Sequence, residues 1–223
     1  MLVALSPVPE APTPNQAQPA TGWKAKTPNA LTIMRLVFST AFVLLLSLSE
    51  PTDTIMLVAA ALFVLAAITD ALDGHLARKW NAISRFGRVM DPFADKILVL
   101  GAFILLAGPA FAGLDSEAVA YQRSGVEPWM VVVILARELL ITSLRGVLEA
   151  EGIDFSATLS GKLKMVGQSV AIPLILLILA VAPSAPGEAG RGVILALAWG
   201  TTLVTAFSAL PYLARAASAS RDV

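Results

Sequence analysis

An all-α integral membrane bundle of six transmembrane helices, both termini cytoplasmic, is the fold class that three features of this 223-residue sequence predict. Charged residues make up 14% of the chain and hydrophobic residues 57%, with a mean hydropathy of +0.76. An ordinary soluble domain carries about 25% charged residues, and a soluble monomer this apolar would expose large apolar patches. Second, there are six apolar stretches, most of which approach the roughly 20 residues that a helix needs to cross a bilayer. Third, all but two of the 16 Lys and Arg residues fall on one side once the N-terminus is placed in the cytoplasm, as positive-inside topology requires. The exceptions are Arg123 and Arg191.

The composition also excludes chemistries. A net charge of zero gives no basic field for nucleic acid. With no cysteine and one histidine, His75, disulfides, thiolate sites and multi-histidine sites are absent. Any metal must therefore bind oxygen ligands.

Taken in order, residues 1–26 read as a disordered cytoplasmic tail, because Pro7, Pro9, Pro12, Pro14 and Pro19 oppose a helix. It lacks the basic start and apolar core of a signal peptide. The membrane domain is expected over 27–215, with apolar stretches at 30–48, 55–69, 97–114, 129–148, 163–182 and 193–213. The second is short and spans only if it continues through Asp70. Pro173 predicts a kink in the fifth. Residues 112–128 read as a plain outer connector, and 216–223 as a short C-terminal tail.

The informative stretch runs from Asp70 to Lys96. Asp70 and Asp73 are three apart at the cytoplasmic end of the second helix; Asp91 and Asp95 are four apart at the start of the third. Each pair shares a helix face. A short connection should make the two helices neighbours, so that four carboxylates converge. Their repulsion calls for protonation or for cations. Oxygen-only ligands suit Mg²⁺, Mn²⁺ or Ca²⁺, and two such ions about 4 Å apart form a clamp for phosphoryl chemistry. Gly74 opens the backbone beside Asp73, Ala77 is small, Arg78 offers a fork for phosphate oxygens, and Gly87 is expected to turn the chain back before Asp91. Capping of a helix by Asp91 before Pro92 would explain that one acid and not the rest.

The pattern Asp70-x2-Asp73-Gly74-x2-Ala77-Arg78-x8-Gly87-x3-Asp91-x3-Asp95 resembles the signature of the CDP-alcohol phosphotransferases at every defined position. The resemblance covers roughly 27–213. It is strongest to the branch whose acceptor is glycerol 3-phosphate, through Thr27-Pro28-Asn29 with Thr32 and Arg35, Phe93-Ala94-Asp95-Lys96, Ala136-Arg137-Glu138-Leu139-Leu140 and Gly161-Lys162-Leu163-Lys164. Met165 departs from that branch, which usually carries Thr there. The resemblance implies phosphatidyl transfer from CDP-diacylglycerol to glycerol 3-phosphate with release of CMP. It implies two divalent ions, Mg²⁺ or Mn²⁺, on Asp70, Asp73, Asp91 and Asp95, and Asp95 as the base. It puts the cytidine nucleotide on Gly74, Ala77, Arg78, Ser84 and Gly87, and implies a homodimer in the cell inner membrane with its site facing the cytoplasm.

A second, basic constellation fits an anionic acceptor. Arg137 lies inside the fourth span, where a charge is costly and marks function. Glu138 and Arg145 are seven apart on one stripe, and Lys162 and Lys164 open the fifth helix. By resemblance, Arg137, Arg145 and Lys162 form the acceptor-phosphate pocket, with Asn29, Thr32, Arg35 and Lys164 as possible additions. Pairing of Arg137 with a buried acid, and topology or capping for the others, are the plainer alternatives. His75 reads as solvated or supporting, and Trp129, Trp199 and Tyr212 as interface or packing residues. The rival functions are a sibling transferase acting on inositol phosphate or phosphatidylglycerol, and a divalent-cation transporter. Transporter sites lie near the midplane, often between repeats; here the acids sit at the edge and no repeat is visible.

Overall fold

The computed structural model describes residues 23–80, 85–114, 118–150, 159–181 and 188–219. Within them the chain is helical apart from one small hairpin. The α-helices are α1 (Trp23–Leu48), α2 (Asp53–Lys79), α3 (Arg85–Leu106), α4 (Pro128–Ala150), α5 (Leu159–Val181), α6 (Glu188–Phe207) and α7 (Leu210–Ala219). Strands β1 (Ala112–Leu114) and β2 (Ala120–Gln122) pair antiparallel, Gly113 opposite Tyr121.

Six long helices thus stand where six apolar stretches were expected. Four described segments are long and apolar enough to cross a membrane: Asn29–Leu48, Asp53–Leu76, Leu159–Val181 and Ala189–Ser218. α3 and α4 have the length, since 22 and 23 residues rise about 33 Å at 1.5 Å each, but they carry the charges of the site. α2 does continue through Asp70.

Several boundaries differ from expectation. α1 begins at Trp23, inside the stretch read as tail, and α7 extends to Ala219. α3 ends at Leu106, because Gly108-Pro109 cannot carry a helix on; a single 3₁₀ turn (Pro109–Phe111) leads into β1 instead. The sixth apolar stretch is broken at Ser208 and Ala209, and Pro211 takes the second position of α7, where its missing N–H costs nothing. Gly87 does not turn the chain: it lies in the first turn of α3, which starts at Arg85. Asp91 is accordingly inside a helix and caps nothing. α5 runs helical through Pro173.

The packing order also differs. α2 and α3 were expected as direct neighbours, yet both pack chiefly on α1, and they touch one another only lightly. α2 also packs on α5, α5 on α6, and α4 on α6 and α7. The close approach of α1 to α3 needs Gly101, where a Cβ would lie 3.0 Å from Val43.

The buried stripes explain how one end becomes a site. On α1 the buried face reads Thr32, Arg35, Ser39, Phe42, Leu46; on α2 it reads Met56, Ala59, Phe63, Ala66, Thr69, Asp73. These three- and four-residue steps keep one face inward. α5 buries Lys164 and Gln168 before Ile172, Ile175 and Leu179, and α6 buries Ile194 and Ala198 before Thr201, Thr202 and Thr205. Each stripe is apolar toward one end and polar toward the other, and the chain's alternation brings the polar ends together. The apolar ends form one core, with Phe42 and Phe63 edge to face at 5.7 Å.

Candidate active site

Arg35 organises the first half of the polar end. It is 1% exposed and reaches acids on two other helices. Its Nη1 lies 2.7 Å from Asp70 Oδ1, its Nη2 donates to Asp73 Oδ2, and the same nitrogen lies 3.4 Å from Asp91 Oδ1. Thr32, one turn earlier, donates to Asp91 Oδ1 at 2.9 Å. Among the described residues, Arg35 Nε is buried without a partner. Thr32 and Arg35, only possible additions from sequence, therefore sit at the centre of the acid cluster and account for how α2 and α3 share one site through α1.

One guanidinium meets three carboxylates, and among the described residues no other cation pairs with them. Among the described residues, carboxylates outnumber the cation that pairs with them. In this structure no three acidic or histidine side chains among the described residues are arranged to hold one ion. The donor set nevertheless fits a hard divalent cation: all carboxylate oxygens, in excess over the single positive charge.

Asp95, one turn beyond Asp91, links this cluster to the second half. It lines a cavity of about 250 Å³ together with Arg35 and Asp70. It also lines a second cavity of about 380 Å³ with Arg137, Arg145, Lys162, Lys164 and Lys96. The three residues read as an acceptor-phosphate pocket thus share one cavity with the carboxylate read as the base.

That cavity has its own organiser. Glu138 accepts from Arg137 Nη1 at 3.2 Å and from Lys164 Nζ. Pairing of Arg137 with an acid, the plainer alternative, is therefore real, and it coexists with a place on the cavity wall. Arg145 and Lys162 are exposed. Lys96 donates to Thr142 at 2.8 Å, and Thr142 donates to the Glu138 carbonyl at 2.7 Å. The sequence gives no reason to place Thr142 or Ser208 among the site residues, and little to place Lys96 there. Only Lys96 had a signal, as the residue next to Asp95.

Of the expected nucleotide contacts, Ser84 lies outside the described residues. Ala77, Arg78 and Gly87 are placed as backbone in α2 and α3, and Gly74 follows Asp73 at the same end. Asn29 lies one turn before Thr32 on α1, partly exposed; His75 is exposed. Trp129 and Trp199 pair with each other at 5.2 Å, half exposed, whereas Tyr212 is buried beside Arg137.

Comparison with known proteins gives a family model, CDP-alcohol phosphatidyltransferase, that matches residues 25–204. A CDP-diacylglycerol–glycerol-3-phosphate 3-phosphatidyltransferase of Bacillus subtilis is 33% identical over 160 residues, 67% of this chain and 76% of the relative. A protein of the same name from Rickettsia typhi is 32% identical over 167 residues, 75% of this chain and 80% of the relative. A probable phosphatidylglycerophosphate synthase of Mycobacterium tuberculosis is 37% identical over 208 residues, 90% of this chain and 88% of the relative.

Proposed function

The chain belongs to the CDP-alcohol phosphatidyltransferase family, and from that premise we propose that it transfers the phosphatidyl group of CDP-diacylglycerol to glycerol 3-phosphate, giving phosphatidylglycerophosphate and CMP. The observation that carries the reading is the position of Asp95, on the wall of both the acid cluster and the cationic cavity. An acceptor anchored by its phosphate on Arg137, Arg145 and Lys162 presents its free hydroxyl toward that carboxylate.

Asp95 takes the hydroxyl proton as the oxygen attacks the phosphatidyl phosphorus. One P–O bond forms, the phosphoanhydride P–O bond breaks, and CMP carries away the electron pair. General bases of this kind contribute about 10²- to 10⁴-fold. Asp70, Asp73, Asp91 and Asp95 would hold two divalent ions, Mg²⁺ or Mn²⁺, which supply neutralisation of phosphoryl and leaving-group charge. Arg35 keeps three of those acids together at a shared position. Gly74, Ala77, Arg78, Ser84 and Gly87 receive the cytidine nucleotide in this reading.

The membrane setting follows from the same chemistry. The donor's acyl chains stay in lipid while its nucleotide meets water at the polar end. The positive-inside distribution supports six spans, cytoplasmic termini and a cytoplasmic site in the inner membrane; resemblance supports a homodimer.

The deciding experiment is an acceptor panel. Purified protein, CDP-diacylglycerol and Mg²⁺ or Mn²⁺ are mixed with glycerol 3-phosphate, inositol phosphate, phosphatidylglycerol or glycerol, and CMP release is followed. Glycerol 3-phosphate should be the preferred acceptor, and excess EDTA should stop its reaction. Preference for another alcohol overturns the acceptor assignment, and undiminished turnover in EDTA overturns the metal assignment.

A further inference from the structure

Arg137 is held by residues from outside its own helix, and those residues cluster where α6 breaks into α7. Its Nε donates to Ser208 Oγ at 2.9 Å. Tyr212, one turn further on, places its ring 5.7 Å from the guanidinium carbon. Nη1 goes to Glu138. Among the described residues Nη2 has no partner, and Arg137 lines the cationic cavity.

The hydroxyl of Ser208 has a fixed orientation. Its single proton goes to the Thr205 carbonyl at 2.7 Å, so it meets Nε as an acceptor only. That back-bond would satisfy the serine by itself; the arginine is the group that needs the contact. Thr205 is fixed in turn, its Oγ1 accepting from Gln168 Nε2 on α5 at 3.2 Å. Ser208, Thr205 and Gln168 are each at most 1% exposed. A buried polar chain thus runs from α5 through the α6–α7 break to the guanidinium on α4.

We propose that Ser208 is a positioning residue: it sets the plane of the Arg137 guanidinium, so that the cavity favours an acceptor bearing a phosphate over a neutral alcohol. This inference rests on the reading of that cavity as the acceptor-phosphate site. Arg137 would retain its charge without Ser208 but lose its orientation, and a planar fork discriminates phosphate through orientation as well as charge.

The test is a kinetic matrix in detergent or nanodiscs on full-length Ser208→Ala, Ser208→Cys and Ser208→Thr. KM is measured for both substrates, and inorganic phosphate is used as a competitive inhibitor against glycerol 3-phosphate. Because Arg137 keeps its charge and loses only orientation, the expected effect on phosphate binding is about 2- to 10-fold, the size of one neutral hydrogen bond. Ser208→Ala should raise the KM for glycerol 3-phosphate and the Ki for phosphate by that factor, with the KM for CDP-diacylglycerol unmoved. Ser208→Cys keeps the volume but is a poor acceptor, so it should behave like the alanine variant and serves if that variant folds badly. Ser208→Thr restores the hydroxyl and should recover the wild-type constants. Equal shifts for both substrates, unchanged KM and Ki, or no rescue by threonine would overturn the proposal. Arg137→Ala is run alongside. If it leaves KM and Ki unmoved, the acceptor-site reading falls, and the proposal with it. If it raises them while Ser208→Ala and Ser208→Cys do not, the positioning role alone is wrong.

Discussion

Around Arg35 one buried cation gathers three carboxylates; around Glu138 one carboxylate gathers two cations. The two halves of the site are built alike with the charges reversed. In each, among the described residues, one opposite charge relieves the repulsion of like charges in a small volume and leaves an excess of one sign. The excess is negative beside Asp70, Asp73 and Asp91, and positive beside Arg137, Arg145 and Lys162. Like charges disfavour one another's ionised forms when packed together, and each organiser reduces that cost. The difference between the halves lies in their outer members. Both centres are buried, Arg35 bridging three helices and Arg137 and Lys164 pairing with Glu138. Asp70, Asp73 and Asp91 all pair with Arg35, whereas Arg145 and Lys162 stand exposed on the cavity wall, outside the Glu138 pairs.

Removing Arg35 attacks that contrast most directly. Deleting one partner of a buried ion pair typically costs about 3–5 kcal/mol, because the remaining charge stays buried. Arg35→Ala should lower stability by that order in chemical unfolding in detergent and abolish turnover, while Arg35→Lys should lose less stability. Wild-type stability in Arg35→Ala would show that the acids need no organiser. Asp70→Asn and Asp91→Asn should each abolish CMP release in protein that still inserts into the membrane.

Next in size comes the carboxylate shared by both halves. Asp95→Asn should lower kcat by about 10²- to 10⁴-fold, the range for a general base, with little change in binding of CDP-diacylglycerol. A variant with near-normal turnover, or one whose defect is confined to donor binding, would take the base role away from Asp95.

The basic half should respond by substrate rather than by stability. A hydrogen bond to a charged group contributes roughly 1.5–3 kcal/mol, so Arg145→Ala should raise the KM for glycerol 3-phosphate about 10- to 150-fold. Its melting temperature should hardly move, since Arg145 is exposed. Arg145→Lys should recover part of the loss, a point charge replacing a fork. Movement of the CDP-diacylglycerol KM instead would place Arg145 on the nucleotide side.

How far this division was legible in the sequence depends on the range of the interactions. The spacing of Asp70 and Asp73, and of Asp91 and Asp95, is local and could be read directly. So could the apolar lengths of the helices and the isolated charge of Arg137 within them. What could not be read was which helix lies between which. The short 80–84 connection suggested α2 against α3, but both pack on α1, because the stripe of Thr32, Arg35, Ser39 and Phe42 competes for the same faces. That tertiary fact turned Arg35 from a topology signal into the centre of the cluster. The α6–α7 break was equally hidden: Ser208 and Ala209 carry no strong breaker, and Pro211 stands three residues past Ser208. Strands β1 and β2 are hidden in the sequence because three residues each leave almost no alternation to detect.

The smallest expected effect lies at the opposite end of the molecule, where the comparison predicts no kinetic consequence. There Arg191 of α6 stacks 4.6 Å from the ring of Tyr121 in β2. Ser124 donates to the Leu106 carbonyl at 2.6 Å, and Gly125 turns at φ +66° against Ile194. These contacts tie the hairpin to the ends of α3 and α6 and hold no acid–base cluster. Arg191 is exposed, and cation–π contacts at exposed sites contribute about 0.5–1 kcal/mol. Arg191→Gln should therefore cost about that much stability and leave both KM values and kcat at wild-type levels. In the proposed topology the substitution also removes one of the two cations on the outer side, which by the positive-inside rule reinforces that orientation rather than opposing it. A changed KM for either substrate would mean that the hairpin end is coupled to the site through α3 or α6, and that the two ends are not independent.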